Sequence, residues 1–237
     1  MIDVAALDGE LTIQDTGAPP ALCAEVAARV DALWEAEQAR RGAALYDAQL
    51  FSLTAREGAR LRGAFVPYRR FVAQRADPRL DAALRVRPLG VMGLCLVEDG
   101  VLFGLRSDAM LVDPGCWELP PSGGVDPGAR ETGGRIAAER QLFAELGEEL
   151  HVRPAEVRRV APLALVRDTR SSITEVAFEL ELTLSFAEVR ARHAAGDNHE
   201  YAELCHVPPG EVAAFGAARG ARLTGAARAL LAHQGLL

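Results

Sequence analysis

The stretch Glu139–Val152, ERQLFAELGEELHV, decides the fold of the middle of the chain. Apolar residues recur in and just before it at helical spacing, so that they share one face. The members of this face are Ile136, Phe143, Leu146 and Leu150. The pattern predicts an amphipathic helix over 136–150 whose apolar face packs on a core.

The same helix carries three closely spaced acidic residues. Glu145, Glu148 and Glu149 stand at i, i+3 and i+4, so a helix brings their carboxylates to one face. Three like charges destabilise a helix unless a cation neutralises them, and Mg²⁺ prefers oxygen ligands. A solvated acidic face is the alternative. Gly147, where alanine would favour the helix by about 1 kcal/mol, and the glycine-rich loop before the helix favour a ligand site.

The segments around this helix alternate between strand and helix patterns. Upstream, two apolar runs flank Asp99-Gly100 and predict a hairpin, and a long loop rich in Gly and Pro follows over 110–135. Downstream, the pattern predicts strands over 160–168 and 174–185, a helix over 186–196, a strand over 200–208 and two final helices. The sequence therefore predicts an α/β fold with a partly antiparallel sheet.

The first 88 residues are predicted to form an N-terminal α+β extension. A helix is expected over 20–41 and a strand over 43–54, with a further strand and helix before residue 88. No linker rich in Gly, Ser or Pro separates this extension, 1–88, from the domain 89–237. We therefore expect the extension to pack on that domain.

Composition excludes several classes of protein. The net charge of −7 argues against a nucleic-acid-binding protein, which needs a basic face. No apolar run approaches 18 residues, so no membrane span is expected. Four widely separated cysteines favour reduced thiols and a cytoplasmic location. His193 and His199 lack companions at ligand spacing, which argues against a zinc site.

A family resemblance enters through the loop and the helix together. The segments WELPPSGGVDPG and AAERQLFAELGEELHV resemble the signature of Nudix hydrolases, in which three glutamates of the helix bind divalent cations. Two registers compete. The first places Arg140 and Gly147 on the family's arginine and glycine, but puts Gln141 and Ala144 where glutamates belong.

The second register lies four residues further on and is the one we adopt. It places Glu145, Glu148 and Glu149 on the three glutamates, while Ala144 replaces the arginine and His151 the glycine. The two registers differ by about one helical turn, so both turn similar faces inward. For the glutamate of the glycine-rich loop, Glu131 is the nearest candidate.

Over most of its length the chain resembles the UDP-sugar diphosphatase branch of this superfamily. That branch carries an N-terminal extension and an irregular signature. The matching segments include VPYRRFV, LFGLRSD, PSGGVDPG, LGEELHV and ALVRDTRSSITEVAFELELTLSFAEVRARHAAGDNHE. The resemblance implies the Nudix α/β/α sandwich, with the extension packed on it.

The resemblance also implies an activity. It is Mg²⁺-dependent hydrolysis, with Mn²⁺ as a substitute, of a small-molecule nucleoside diphosphate, with a nucleotide sugar giving a nucleoside monophosphate and a sugar 1-phosphate. Glu145, Glu148 and Glu149 would hold the metal, and Glu200 or Glu203 would orient the attacking water. Alternatives are another diphosphate such as ADP-ribose, a biosynthetic intermediate, or an inactive nucleotide-binding protein. A homodimer is also among the expectations.

Further residues are expected to contact the substrate. The backbone of Gly123 and Gly124 would approach metal and phosphate. Arg106 would pair with the diphosphate or else with a neighbouring acid. Arg167 and Arg170 would grip phosphate, with a solvated turn as the alternative. Tyr68, in a motif that resembles one of the branch, would contact the nucleotide or else belong to the core.

Overall fold

The computed structural model describes residues 1–7, 9–42, 45–110, 112–198 and 200–237. Within these residues the main element is a mixed sheet in the order β1-β9-β10-β5-β6-β11. β10 runs parallel to β5, whereas the other neighbours along this path are antiparallel. The strands are β1 (Ile2–Ala6), β5 (Leu89–Val97), β6 (Gly100–Arg106), β9 (Val157–Asp168), β10 (Thr174–Leu182) and β11 (Tyr201–Val207).

Helices cover both faces of this sheet. Leu142 and Val189 place α4 and α5 in the core cluster on one face, and Val212 and Leu230 place α6 and α7 in the cluster on the other. The helices are α4 (Ala138–Leu150), α5 (Phe186–Ala195), α6 (Val212–Arg219) and α7 (Gly225–His233). The predicted α/β/α sandwich with a mixed sheet is therefore confirmed.

The long loop after β6 contains two short strands that were not predicted. β7 (Trp117–Glu118) pairs with β6, and β8 (Ser122–Gly124) pairs with β5. Both add to the main sheet where β5 and β6 diverge. This pairing fixes the glycine-rich turn beside Glu145 and Glu149, in the second half of α4.

The N-terminal region forms a second, smaller sheet with helices. β2 (Thr12–Asp15) and β3 (Gln49–Glu57) both pair with β4 (Arg60–Pro67). The helices are α1 (Ala24–Arg41), α2 (Tyr68–Ala76) and α3 (Asp81–Leu84). The strand predicted over 43–54 begins only at Gln49, and Ala43 and Ala44 lie outside the described residues.

The extension packs on the main sheet, as predicted. The amide of Phe51 donates to the carbonyl of Val125 over 2.8 Å, and the amide of Ile136 to that of Ile13 over 2.9 Å. Ile13 and Phe51 are buried in the same core cluster as α4. β1 goes further and joins the main sheet beside β9. The division at residue 88 stays a prediction.

None of the helices that the structure describes is both long enough and apolar enough to cross a membrane.

Candidate active site

Helix α4 carries an apolar row beside a polar row. Leu142, Leu146 and Leu150 recur every four residues and are fully buried. Each contributes roughly 1.5–3 kcal/mol by leaving water, which fixes the rotation of the helix. The residues just before Leu142, Leu146 and Leu150 form the polar row, and they too turn toward the sheet: Gln141, Glu145 and Glu149.

Gln141 connects this row to the preceding loop. Its Oε1 accepts a hydrogen bond from the amide of Asp126 over 3.1 Å, and its Nε2 donates to Oε1 of Glu145 over 2.8 Å. The side chain is 4% exposed. Gln141 therefore fixes the carboxylate of Glu145, a position that both registers assign to a metal ligand.

Glu149 is completely buried at the inner end of the row. Both of its carboxylate oxygens lie 3.2 Å from the amide of Ser122, which donates to them. Burial raises the pKa of Glu149 well above its usual value, and the neighbouring acids Glu200, Glu118 and Glu145 raise it further. Ionisation of the buried Glu149 therefore destabilises the folded protein unless a cation binds beside it.

Glu145 lies against the glycine-rich turn. A Cβ atom at position 123 would collide with its carboxylate, so any side chain there would displace Glu145. Burial raises the pKa of Glu145 to about 7, opposed by the hydrogen bond from Gln141 and supported by Glu148. At position 124 a Cβ would meet open space. The backbone of Gly123 therefore lies close to the carboxylate of Glu145. Contact of Gly123 and Gly124 with the substrate stays a prediction.

Arg106 occupies the opposite side of the acid cluster, at the end of β6. It forms a buried ion pair with Glu118 and lies 3.3 Å from Glu200. Burial lowers the pKa of Arg106, but Glu118 and Glu200 outweigh that effect and raise it. Of the two roles expected for Arg106, pairing with a neighbouring acid is the one that this arrangement displays.

Glu200 belongs to the cluster because it lies 3.3 Å from Arg106 and is close enough to Glu149 to raise the pKa of that residue. Its carbonyl accepts from the amide of Ser107 over 2.7 Å, which ties the segment before β11 to the end of β6. Burial raises the pKa of Glu200, while Arg106 lowers it. Glu203 is exposed on β11. Between the two candidates for orienting water, the geometry favours Glu200.

Two acids near Arg106, of which Glu118 belongs to the cluster, were missed by the sequence analysis. Glu118 on β7 is 8% exposed, and burial raises its pKa to about 7 despite Arg106. Glu175 near the start of β10 lies beside Gly90 and has a pKa of about 8, again because of burial. Glu118 stands within the quoted WELP segment, and an acid there among apolar residues was the available signal.

The remaining acids lie at the edge. Glu148 is exposed on α4, one position from the buried Glu149, yet it is close enough to raise the pKa of Glu145 and Glu200. Glu131 pairs instead with Arg140 at 3.4 Å and Arg135 at 3.7 Å.

The other predicted substrate contacts lie on β9, in the turn that follows it and at the start of α2. Arg167 is exposed and faces Thr174 across the β9–β10 pair, next to Glu175. Arg170 is exposed in a turn in which Asp168 Oδ1 accepts from its amide over 2.9 Å. Tyr68 packs edge-on against Trp34, with ring centroids 6.5 Å apart. The substrate roles of Arg167, Arg170 and Tyr68 stay predictions.

His193 joins the two segments that carry the acids. Its Nδ1 lies 3.1 Å from the carbonyl oxygen of Glu149, and its Nε2 lies 3.1 Å from that of Tyr201. The ring therefore holds the last turn of α4 against the start of β11. His199, considered with it in the sequence, lies outside the described residues.

The charges of the cluster suit a divalent cation. Neither Glu145 nor Glu149 makes an ion pair with any residue that the structure describes. Arg106 is already committed to Glu118 and Glu200, and carboxylate oxygens are the donors that Mg²⁺ prefers. As the side chains stand, no three His, Cys, Asp or Glu residues in the described ranges converge on one metal position. The ligand set therefore stays a prediction.

Comparisons with known proteins give partial likenesses of fold. No family model matches the chain. No curated protein matches it either. Among solved structures it is similar to DR0079 from Deinococcus radiodurans, with 18% identity, 62% of this chain and 82% of that one covered, and a TM-score of 0.47. It is also similar to a MutT NUDIX hydrolase from Burkholderia pseudomallei, with 18% identity, 61% and 95% covered, and a TM-score of 0.39.

A third similar structure is a bifunctional NMN adenylyltransferase/ADP ribose pyrophosphatase from Francisella tularensis. The identity is 14%, the match covers 70% of this chain and 48% of that one, and the TM-score is 0.43. Likeness at this level does not establish a family or an activity for the chain.

Proposed function

We propose that the protein is a Nudix-type, Mg²⁺-dependent diphosphatase whose substrate is a nucleotide sugar of the UDP-sugar type. The products are a nucleoside monophosphate and a sugar 1-phosphate. The observation that carries the proposal is the pair of half-buried Glu145 and fully buried Glu149, which lie against the backbone of Ser122 and Gly123 and make no ion pair with any described residue. A cation there would turn a destabilising cluster into a binding site.

Each residue of the cluster then has a defined task. Glu145, Glu148 and Glu149 would hold the cation, which would supply Lewis-acid polarisation of the diphosphate and a lowered pKa of bound water. Gln141 keeps Glu145 in place, and the amide of Ser122 does so for Glu149. These hydrogen bonds orient the ligands before the substrate arrives.

Glu200 is the residue that we assign to the attacking water. Burial raises the pKa of Glu200, so it is a stronger base than an exposed carboxylate. Arg106 lowers that pKa in part, because it stabilises the ionised carboxylate. Both features suit a group that accepts a proton near neutral pH. Arg106 also fixes the position of Glu118, since it bridges the two acids.

The choice of substrate rests on the sequence resemblance and on two exposed arginines. Arg167 lies opposite Thr174 in the β9–β10 pair, and Arg170 follows it in the next turn. A guanidinium group binds a diphosphate in bidentate fashion. We assign Arg167 to the diphosphate, because it pairs with Thr174 and so stands on the same face of the sheet as Val176, which belongs to the core cluster of α4.

A substrate panel tests the proposal. UDP-sugars, GDP-sugars, ADP-ribose, dinucleoside polyphosphates and nucleoside triphosphates are incubated with the protein with and without Mg²⁺ or Mn²⁺, and the products are separated by ion-exchange chromatography. We expect cleavage of UDP-sugars only with the metal. If only ADP-ribose is cleaved, the proposed substrate is wrong but the proposed type of reaction stands. Saturable nucleotide binding without cleavage would indicate a binding protein instead.

Variants connect the reaction to the cluster. Glu149→Gln keeps the size of the side chain but removes one charge, so turnover should fall at least about tenfold, which corresponds to about 1.4 kcal/mol of barrier. Glu139→Gln is the matched control, because Glu139 is exposed on the same helix. Equal loss in both variants, or in neither, would remove Glu149 from the site.

A further inference from the structure

His193 projects from a firmly held end of helix α5. It stands in the last turn of that helix, and Val189, one turn earlier, is fully buried in the same core cluster as α4. The preceding residue, Arg192, forms an ion pair with Glu156 at 2.6 Å and donates to the carbonyl of His151 over 3.3 Å. These contacts anchor the end of α5, so the position of the His193 ring is well defined.

The ring lies between two backbone carbonyls at places where regular hydrogen bonding is interrupted. Glu149 is in the last turn of α4, where carbonyls have no donor within the helix, and Nδ1 of His193 lies 3.1 Å from its carbonyl oxygen. Tyr201 comes just before an irregularity in the pairing of β11 with β6, and the amide of its partner Arg106 donates to Cys116. Nε2 of His193 lies 3.1 Å from the carbonyl oxygen of Tyr201. A carbonyl oxygen only accepts, so the ring is the donor in such a contact.

The contact with Tyr201 bears directly on Glu200, the preceding residue. The carbonyl of Glu200 accepts from the amide of Ser107 over 2.7 Å, and its carboxylate lies 3.3 Å from Arg106. The Nε2 contact therefore adds a further attachment to the backbone of this segment, one residue from Glu200. Helix α4 is already fixed by its fully buried leucines, so loss of the Nδ1 contact would leave Glu145 in place.

We propose that His193 is a positioning residue for Glu200: its Nε2 holds the carbonyl of Tyr201 and thereby fixes the place of the Glu200 carboxylate. The role of Glu200 toward the attacking water rests on the proposed function, whereas the hold on the backbone does not depend on it. A displaced base slows the chemical step without changing how substrate and metal bind. Loss of the contact should therefore lower kcat and leave KM and the Mg²⁺ response nearly unchanged.

Two substitutions separate the contacts of the two ring nitrogens. In His193→Gln the amide nitrogen stands about where Nε2 stood, so a donor toward Tyr201 is kept; in His193→Asn it stands about where Nδ1 stood, so a donor toward Glu149 is kept. For the substrate that the panel identifies, we expect His193→Gln to keep at least about half of the wild-type kcat and His193→Asn to lose about tenfold. In both variants KM and the Mg²⁺ concentration that gives half of the stabilisation should stay within about twofold of the wild type.

Hydrogen exchange tests the hold on the backbone without any substrate. The amide of Ser107 donates to the carbonyl of Glu200, so its exchange rate reports how firmly this segment is held. We expect exchange at Ser107 to be at least about fivefold faster in His193→Asn than in His193→Gln, with equal exchange at the amide of Leu146 in α4. His233→Asn is the matched control, because His233 is exposed at the end of α7 and should affect neither kcat nor exchange.

The order of the two variants decides the outcome. The proposal is overturned if kcat is equal in His193→Gln and His193→Asn, or lower in His193→Gln. Equal exchange at Ser107 in the two variants refutes the hold on the backbone even where their kcat values differ. If the wild type cleaves nothing and exchange at Ser107 still separates the variants as expected, the proposed function fails and His193 remains the residue that positions Glu200.

Discussion

Replacing Gly123 by alanine tests whether the position of the Glu145 carboxylate controls the reaction. The added Cβ would lie within 2.5 Å of both carboxylate oxygens, whereas carbon and oxygen atoms in contact are usually about 3.5 Å apart. The carboxylate must therefore retreat by about 1 Å or more. Since it is the far end of a flexible side chain, it can move without disturbing the pairing of Gly123 with Val91.

The cost should appear in catalysis rather than in folding. A displacement of about 1 Å in a catalytic site can reduce the rate about 100-fold, which corresponds to about 2.7 kcal/mol of barrier. Glu145 would also lose the 2.8 Å hydrogen bond from Gln141 that now fixes it. We expect kcat/KM to fall about 100-fold and the Mg²⁺-induced rise in unfolding temperature to shrink. The metal-free unfolding temperature should change little.

Two glycines serve as comparisons. At Gly210 a Cβ meets open space in an exposed turn, so Gly210→Ala should leave kcat/KM unchanged. Gly124→Ala, which also meets open space, should keep the wild-type Mg²⁺ response, because Glu145 is not displaced. The reasoning is refuted if Gly123→Ala folds normally and retains more than half of the wild-type kcat/KM with an unaltered Mg²⁺ response.

Three further predictions concern stability. Because the pKa of Glu175 is raised from 4.5 to about 8, its ionisation opposes folding, and the metal-free unfolding temperature should fall as the pH rises from about 5 to about 8. Glu175→Gln should make that fall smaller. An unchanged pH profile in the variant would contradict the raised pKa of Glu175. Gly147→Ala should raise the free energy of unfolding by about 0.5–1 kcal/mol, since a Cβ there meets only the carbonyl of Val152 at 4.0 Å; destabilisation in urea would show an unseen constraint. Deleting residues 1–88 should give an insoluble protein, because Phe51 leaves the shared core; a soluble, fully active core would refute the shared packing.

Local patterns in the sequence predicted most of the main fold. The helix α4 followed from the spacing of Leu146 and Leu150, and the β5–β6 hairpin followed from Asp99-Gly100 between apolar runs. Each of these patterns lies within one element, so it can be recognised without knowing how the rest of the chain folds. The strands β7 and β8 were missed because two or three residues carry no period.

Pairings between distant segments were not visible in the sequence. β1 joins β9 through partners such as Val4 and Val166, and no local pattern of the first residues reveals that pairing. The site divides in the same way. Glu145 and Glu149 were found because they lie one turn apart on one helix, whereas Glu118 comes from β7 and approaches Glu149 only because the sheet brings the two together.

The arrangement of α4 explains why an irregular signature is compatible with an intact cluster. Gln141, Glu145 and Glu149 follow one another every four residues along the polar row. Moving the predicted ligand set by four residues would move it one turn along the same row, about 6 Å along the axis, without rotating it away from the sheet. The apolar row of leucines keeps the same spacing, so the core is unaffected. The position that the shift vacates is then free for Gln141, whose amide anchors the loop at Asp126 and holds Glu145 in place.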